Sequence, residues 1–539
     1  MTIRVLLSSI TRVLLPLAFV STFYLYLYPV FHGCAFSSTN GSIIASLRDT
    51  IVQHTDTHAY TEQHESGRLA PFRLLVLADP QLEGDSSLPK PEEAFTARLQ
   101  NHWQTVQESP LRELHTTIYD VLLEISITDI PRALLALRKR IDLFGNDYYL
   151  AHIYRTLHWW TKPSHVTVLG DLIGSQWVSD GEFEKRGDRF WNRVFAGGER
   201  VDDGITLSTG PMAMDGAAWK NRIINIAGNH DIGYAGDISR GRMERFERVF
   251  GRANWDLRFE YPEDKMTGEM RPSLHLVVLN SLVLDTPALD EGIQADTYAY
   301  INDVIGNRVQ PVDDHTSFTL LLTHLPFYKP EGVCTDAPYW DFWASNDDCG
   351  GNCKGGGLKE QNHLSKPVSE NGLLESLFGM KGDLDAAASG RGRHGLVLTG
   401  HDHEGCDSWH FIGNETTWRK TDDNEDEVDK KTEWSHVRWS DRKKMASHTG
   451  VREVTLRSMM GEFAGNAGLL SAWFDYEEEG WQYEIRMCKA GVQHIWWAAH
   501  VLDLIAVLLA MMTIALTAYD YLRPVQVKEV KLKVKQVKS

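Results

Sequence analysis

The chain has 539 residues, 42% of them hydrophobic and 24% charged, with 43 Gly and 19 Pro. That composition is globular and excludes disorder, collagen and coiled coil as the main architecture. The 55 basic and 73 acidic residues leave a net charge of −18, which argues against a nucleic-acid partner, because phosphate binding needs a basic face.

Val13–Phe31 is 19 residues without a charge, about the length that crosses a bilayer core. No clear small-x-small cleavage site follows it, so it reads as an uncleaved anchor rather than a signal peptide. Residues 33–70 read as a linker. From Phe72 to Leu398, short β-branched runs recur, and each ends in a polar cluster. Phe72–Ala78 runs into Asp79-Pro80-Gln81, His165–Leu169 into Gly170-Asp171, and Ile223–Ala227 into Gly228-Asn229-His230-Asp231. Phe318–Leu322 runs into Thr323-His324, and Leu396–Leu398 into Thr399-Gly400-His401-Asp402-His403. Continuous apolar runs of this kind predict strands buried on both faces. In α/β sheets, reactive groups gather outside the carboxyl ends of such strands.

The 92 positions between Asp79 and Asp171 exceed what one crossover needs. Residues 92–160 carry helical periodicity, which predicts an added helical layer. Its segment Leu134 to Leu143, beside Arg132, Arg138, Lys139 and Arg140, is expected to face the core, with a membrane surface as the alternative. The Cys/Gly-rich stretch 331–372 predicts loop disulfides in preference to a zinc site, since no second ligand pair stands at zinc-finger spacing. Residues 421–433 read as an acidic, solvated loop.

Ile495–Leu522 is again apolar, edged by Trp496, Trp497, Tyr519 and Tyr521, and reads as a second span. Arg4 and Arg12 precede the first span, and Arg523 with five lysines follows the second. The positive-inside rule then puts both termini in the cytosol and the head in a lumen. With flanks of net +2 and +3, residues 33–493 hold −23. All six cysteines lie on that side, an even number in a disulfide-permissive space. Asn40 and Asn414 stand in glycosylation sequons there. The predicted organisation is a cytosolic stub and span (1–32), a linker (33–70), a lumenal catalytic domain (71–493), a span (494–522) and a basic tail (523–539).

Two divalent ions about 3.5–4 Å apart can share one carboxylate, activate a water and stabilise charge on phosphoryl oxygens. Asp supplies hard anionic oxygen, imidazole suits borderline ions, and Asn gives a neutral oxygen. In the GNHD cluster, His230 is placed to touch phosphate or protonate a leaving oxygen, with Asp231 expected to hold its tautomer. Glu404 and Asp407, after the last cluster, are candidates for contact with substrate. Trp177, Tyr328, Trp340, Asp341 and Trp343 are candidates for an aromatic, acidic wall.

The order D-x-Q, GD, GNHD, H, GHDH resembles the calcineurin-like metallophosphoesterase superfamily. The resemblance implies an α/β fold, a four-layer αββα sandwich, here with helical insertions and one transmembrane helix at each end. It makes Asp171 the bridge between two divalent ions, with Asp79 and His403 on the first and Asn229, His324 and His401 on the second. Gln81 stands where the superfamily usually has histidine. As a first-site ligand it would offer only a carbonyl oxygen, which tilts the expectation to Mn²⁺ over Zn²⁺.

A narrower resemblance covers nearly the whole chain. ADPQLEGDS (78–86), DLFGNDYYLAHIYR (142–155), LGDLIGSQW (169–177), KEQNHLS (359–365) and VREVTLRSMMGEFAGNAG (451–468) are similar to the fungal Ted- and Cdc-type phosphoesterases. The resemblance implies an endoplasmic-reticulum enzyme that removes a side-branch ethanolamine phosphate from a mannose of the GPI anchor. The second mannose is implied for the Ted type and the first for the Cdc type, with the Ted type favoured. GPI-anchored proteins and their glycan, membrane lipid and the cargo-export machinery are the implied partners. A catalytically weak receptor for GPI-anchored cargo is the alternative, and Gln81 is the residue that favours it.

Overall fold

The computed structural model describes residues 3–39, 42–55, 69–84, 88–214, 219, 221–263, 266, 269–381, 383, 385–420, 426–445 and 450–522, with backbone alone at 55, 414–420, 426–432 and 443–445; residues 421–425 of the acidic segment lie outside the described residues. It divides into two units, Met1–Tyr28 with His494–Ser539, and Pro29–Gln493.

The first unit is a pair of helices, Ile3–Tyr26 and Gln493–Leu522, each long and apolar enough to cross a membrane. At 1.5 Å per residue, 24 residues reach about 36 Å, more than the ~30 Å of a hydrocarbon core. The helices run antiparallel, since Arg4 pairs with Asp520 at 3.0 Å while Thr22 donates to Asp503 at 2.6 Å. Each acid among the apolar residues thus has a partner, as a carboxylate in such surroundings requires.

The second unit is built on two sheets. In chain order the strands are β1 (Phe72–Leu77), β2 (His165–Val168), β3 (Glu199–Arg200), β4 (Met212–Ala213) and β5 (Arg222–Asn225). Next come β6 (Trp255–Glu260), β7 (Ser273–Val278), β8 (Ser317–Leu322), β9 (Trp340–Phe342), β10 (Leu358–Gln361) and β11 (Gly395–Thr399). The last are β12 (Cys406–Lys420), β13 (Asp426–Arg438), β14 (Gly450–Thr455), β15 (Asn466–Asp475) and β16 (Gly480–Lys489). One sheet has the order β16-β15-β1-β2-β5-β3 and the other β13-β12-β14-β11-β8-β7-β6-β4, with β9 and β10 as a separate pair. Alternate residues of both sheets enter one core: Phe72, Leu74 and Val76 of β1 meet Leu274 and Leu276 of β7, Phe318 and Leu320 of β8, and Leu396 of β11. The intervening Leu75, Leu77 and Leu321 are just as buried on the opposite faces. Strands covered on both faces have no polar side to alternate with, and the two sheets with their helices form the expected αββα sandwich.

Residues 95–161 are helical as expected, in three pieces: Phe95–Glu108, Leu114–Glu124 and Ile130–Thr161. Leu134, Leu135, Leu137 and Ile141 are exposed, however, not turned to the core. The long helix meets the rest of the unit through its second half, from Gly145 on, where buried residues are dense. The acidic segment also differs from a loop. Residues 426–438 form β13, paired with β12 in a register that sets Glu415 opposite Lys431 and Arg419 opposite Glu427. Thr416, Thr417 and Val428 supply strand propensity to a segment whose acidity alone would oppose pairing. Asn40 lies outside the described residues, and Asn414 contributes only its backbone position in β12.

All six cysteines are oxidised, as Cys34–Cys488, Cys334–Cys406 and Cys349–Cys353. The zinc alternative for residues 334–353 therefore has no thiolate left to use.

A buried polar network ties β14, β12 and β13 together. Glu453 accepts from Lys329 at 2.8 Å, from His410 at 2.7 Å and from the Phe327 N–H at 2.9 Å. His410 meets His436 at 2.7 Å, and His436 reaches Glu370 at 2.9 Å. Burial pushes the Glu453 carboxyl up, yet Lys329 and His410 outweigh it and hold it below the usual carboxylate range. Glu453→Gln would leave the fully buried Lys329 ammonium without its counter-charge. Urea denaturation of the purified chain should show a loss of about 3–5 kcal/mol.

Candidate metal centre

The carboxyl ends of β1, β2 and β5 from one sheet and of β8 and β11 from the other bring their polar clusters to one place. The backbone is bent sharply there: Asp79, Gln81, Asp171 and His401 all have φ between +42° and +73°. Left-handed conformations at non-glycine residues cost roughly 1–3 kcal/mol each and persist where the surroundings over-determine them. Gly228 is required by close approach, because a Cβ there would lie 2.0 Å from the Asp171 nitrogen.

Asp171 is the shared element. One of its oxygens accepts from the His230 N–H at 2.9 Å and lies 3.3 Å from Nε2 of His324. The other lies 3.0 Å from the side-chain amide of Gln81. Ligand atoms of Asp79, Asp171 and His403 fall within 4.8 Å of one another, and so do those of Asp171, His324 and His401. The Gln81 amide stands between Asp171 and His403, 3.1 Å from the imidazole. Since oxygen and nitrogen of an amide are assigned from their partners, a cation between these groups would draw the Gln81 oxygen inward.

The second set shows its tautomers. His324 Nδ1 donates to the Leu169 carbonyl at 2.7 Å, and His401 Nε2 donates to the Gln361 carbonyl at 3.0 Å. Both remaining lone pairs, on His324 Nε2 and His401 Nδ1, point at Asn229 Oδ1, each at 2.9 Å. Burial lowers both imidazoles, His401 to about 3, so they are neutral and ready to ligate. Asp79 is fully buried, and one of its oxygens has no hydrogen-bond partner. Lone pairs converging without protons, beside an orphaned carboxylate oxygen, fit divalent cations. Asp79, Gln81, Asp171 and His403 would hold one ion and Asp171, Asn229, His324 and His401 the other.

His230 differs from these ligands. Its side chain is 38% exposed, and Nε2 stands 3.8 Å from Asp171, at the open side of the cluster. Asp231 does not hold its tautomer. The Asp231 carboxylate accepts from the N–H groups of Ile173 and Gly228 at 3.0 and 2.8 Å. It therefore braces the turn after β2 against the turn after β5, a positioning role in place of the catalytic one expected.

Glu404 and Asp407 are not free to receive an ammonium. Arg457 pairs with Glu404 at 2.8 Å, and Arg452 grips Asp407 through two nitrogens at 2.8 and 2.6 Å. The aromatic wall is also partly engaged. Trp177 and Trp343 meet edge to face, with Arg242 over one ring at 4.2 Å and Lys359 over the other at 5.5 Å. Sequence reasoning missed the supporting groups: the Gln361 carbonyl, Phe463 packed 5.1 Å from the His403 ring, and Ser458, whose hydroxyl donates to the Asp79 carbonyl. All three fall in the KEQNHLS and VREVTLRSMMGEFAGNAG blocks, where the signal lay without a role attached.

No protein-family model matches the chain. It is 32% identical over 414 residues to Protein TED1 of Saccharomyces cerevisiae, covering 68% of this chain and 77% of that protein. It is 28% identical over 112 residues to Metallophosphoesterase 1 of Mus musculus, which is 21% of this chain and 23% of that protein. The Danio rerio Metallophosphoesterase 1 is 25% identical over 111 residues, 20% of this chain and 24% of that protein.

Asp171→Asn should lose bound metal and turnover together, because one carboxylate serves both sets; metal analysis of the purified variant measures the first. The pH dependence of the metal-free chain follows from Asp79 and Asp231. Burial and then Asp171 push both carboxyls well above the ordinary range. A raised folded-state pKa contributes stability that is complete below the unfolded value and is lost as pH rises through the folded one. Chelator-stripped protein should therefore melt at lower temperature as pH rises above the ordinary His range; below it, the buried neutral His324 and His401 gain stability with pH and oppose the trend. Added Mn²⁺ should reverse the trend and release protons, read as a buffer-dependent heat of binding.

Proposed function

The chain belongs to the metallophosphoesterase family that includes Protein TED1 of Saccharomyces cerevisiae, and from that premise we propose a two-metal phosphodiesterase acting on the GPI anchor. Its reaction removes a side-branch ethanolamine phosphate from a mannose of the anchor glycan, the second mannose on the Ted-type resemblance. The observation that carries this reading is the pair of ligand sets sharing Asp171, with His230 beside them on the open side. Two divalent ions, Mn²⁺ in this proposal, would supply Lewis-acid stabilisation of the phosphoryl oxygens and an activated water.

The remaining work belongs to the chain. Asp171, held by the His230 N–H, would keep both sets in register. The carbonyls of Leu169 and Gln361 fix the tautomers of His324 and His401. His230, exposed and not needed as a ligand, would protonate the leaving mannose oxygen. A head in the lumen of the endoplasmic reticulum, with both termini cytosolic, suits a lipid-anchored glycan as substrate. Arg4 and Arg12 in the first turns of the first apolar helix, Arg523 and the lysines after the second, and three disulfides among cysteines that lie between the helices in sequence support that orientation.

GPI glycans from cells lacking this protein should retain ethanolamine phosphate on the second mannose, as read by mass spectrometry. Retention on the first mannose would assign the Cdc-type reaction, and unchanged glycans would favour the receptor reading. His230→Ala should lower turnover on the mannosyl diester by about 10²–10⁴-fold with metal content intact. An aryl phosphodiester, whose leaving group needs little protonation, should lose far less. Equal losses on the two substrates would remove the general-acid role.

A further inference from the structure

Exposed large apolar side chains of the Pro29–Gln493 unit concentrate on one helical layer. Ile127, Ile130, Leu134, Leu137, Ile141 and Phe144 follow a three-four spacing, which puts them along one face. Every one is exposed, with Ile127 at 66% and Leu134 at 61%. From Ile127 to Phe144 this bare strip is about 26 Å long. The other side of the layer is satisfied: the buried Asp129 accepts from Arg98 at 2.9 Å and meets His102 at 2.7 Å. A contiguous apolar strip on an otherwise closed unit marks a contact surface.

Two observations identify what it contacts. The first is charge. Residues 130–144 carry Arg132, Arg138, Lys139 and Arg140; Arg138 pairs with Asp142 at 3.7 Å and Lys139 with Glu83, and Arg132 and Arg140 add positive charge beside the strip in a segment 33–493 of net −23. Cations flanking an apolar helical face suit anionic headgroups over acyl chains. The second is attachment. The long helix meets the chain where it enters the second apolar helix: Tyr149 donates to the Gly491 carbonyl at 2.7 Å, and Gln493 donates to Asn146 at 3.2 Å. Its far end meets the Ile43–Thr55 helix, where His54 stacks on Trp160 at 5.3 Å and Ile43, Ile44, Ile51 and Val52 are exposed in turn. The strip thus continues from residues adjacent in sequence to the apolar helices.

We propose that the 127–144 face lies in the interfacial layer of an anionic bilayer, a membrane contact that spans nothing and adds to the two apolar helices. It rests on those helices crossing a membrane and not on the reaction proposed above. The head would then touch lipid through a surface of its own, besides the two apolar helices.

The test uses the full chain, one copy per nanodisc of phosphatidylcholine with phosphatidylserine. No cysteine is free in the native chain, so Leu134→Cys, Ile141→Cys and, as control, Asp303→Cys each take a single environment-sensitive fluorophore. Doxyl-labelled lipids should quench positions 134 and 141. Loss of fluorescence should be greater with doxyl high on the acyl chain than deep, matching insertion by about 5–10 Å. Position 303, exposed on the Glu291–Asn307 helix, should keep its fluorescence. Quenching at 134 and 141 no greater than at 303 would overturn the proposal. So would protection that appears only when two chains share a disc, since the face would then be an interface between copies.

Discussion

A single carboxylate serving two ligand sets has to stand where two sheets end. Asp171 leaves β2 in the first sheet, while His324 and His401 arrive from β8 and β11 in the second. No single sheet can supply both sides of such a cluster, and the sandwich core exists to hold the two carboxyl edges together. The positive φ angles at Asp79, Gln81, Asp171 and His401 follow from the same demand. Each strand must stop abruptly and turn its last polar group inward, and Asp231 braces two of those turns against each other through backbone N–H groups. Around the cluster the protein spends its hydrogen bonds on fixing protons: backbone carbonyls take one from each of His324 and His401 and leave the lone pairs aimed at a common centre.

Much of this is legible in the sequence because burial on both faces leaves a strong trace. Leu74, Leu75 and Val76 in β1, or Leu320, Leu321 and Leu322 in β8, can be uniformly apolar only if something covers each side. The polar residue that ends each run then marks the strand's open end. Residue type carries the rest, since imidazoles, an amide and carboxylates at such ends have no packing reason to gather.

What stayed hidden depends on partners distant in sequence. Glu404 and Asp407 look available until Arg457 and Arg452 fold back over them, and no local pattern announces those arginines. Asp231 looks like a histidine partner by adjacency, yet its side chain turns toward the backbone of a different loop. The segment 134–143 shows helical periodicity, which records that one face is apolar and does not record what lies against it. Residues 426–433 read as loop for a related reason: their pairing with β12 becomes visible only in register. Disulfide connectivity, with partners as far apart as Cys34 and Cys488, is likewise outside what spacing reveals.

The central position of β1 sets an order of events during synthesis. Its ladder with β2 can form once residue 168 is made, but its other edge waits for β15, where Val76 faces Gly468. Cys34 waits longer still, for Cys488. Until residues 466–475 emerge, an apolar strand that leads into a candidate metal ligand presents an unpaired edge, the kind of surface on which chains aggregate. A ribosome stalled between residues 403 and 466 would leave a product with every candidate ligand residue present and no finished sheet to align them. Folding of this head is therefore bound to residues 466–488, and truncations that remove them should be far more damaging than their distance from the candidate metal centre suggests.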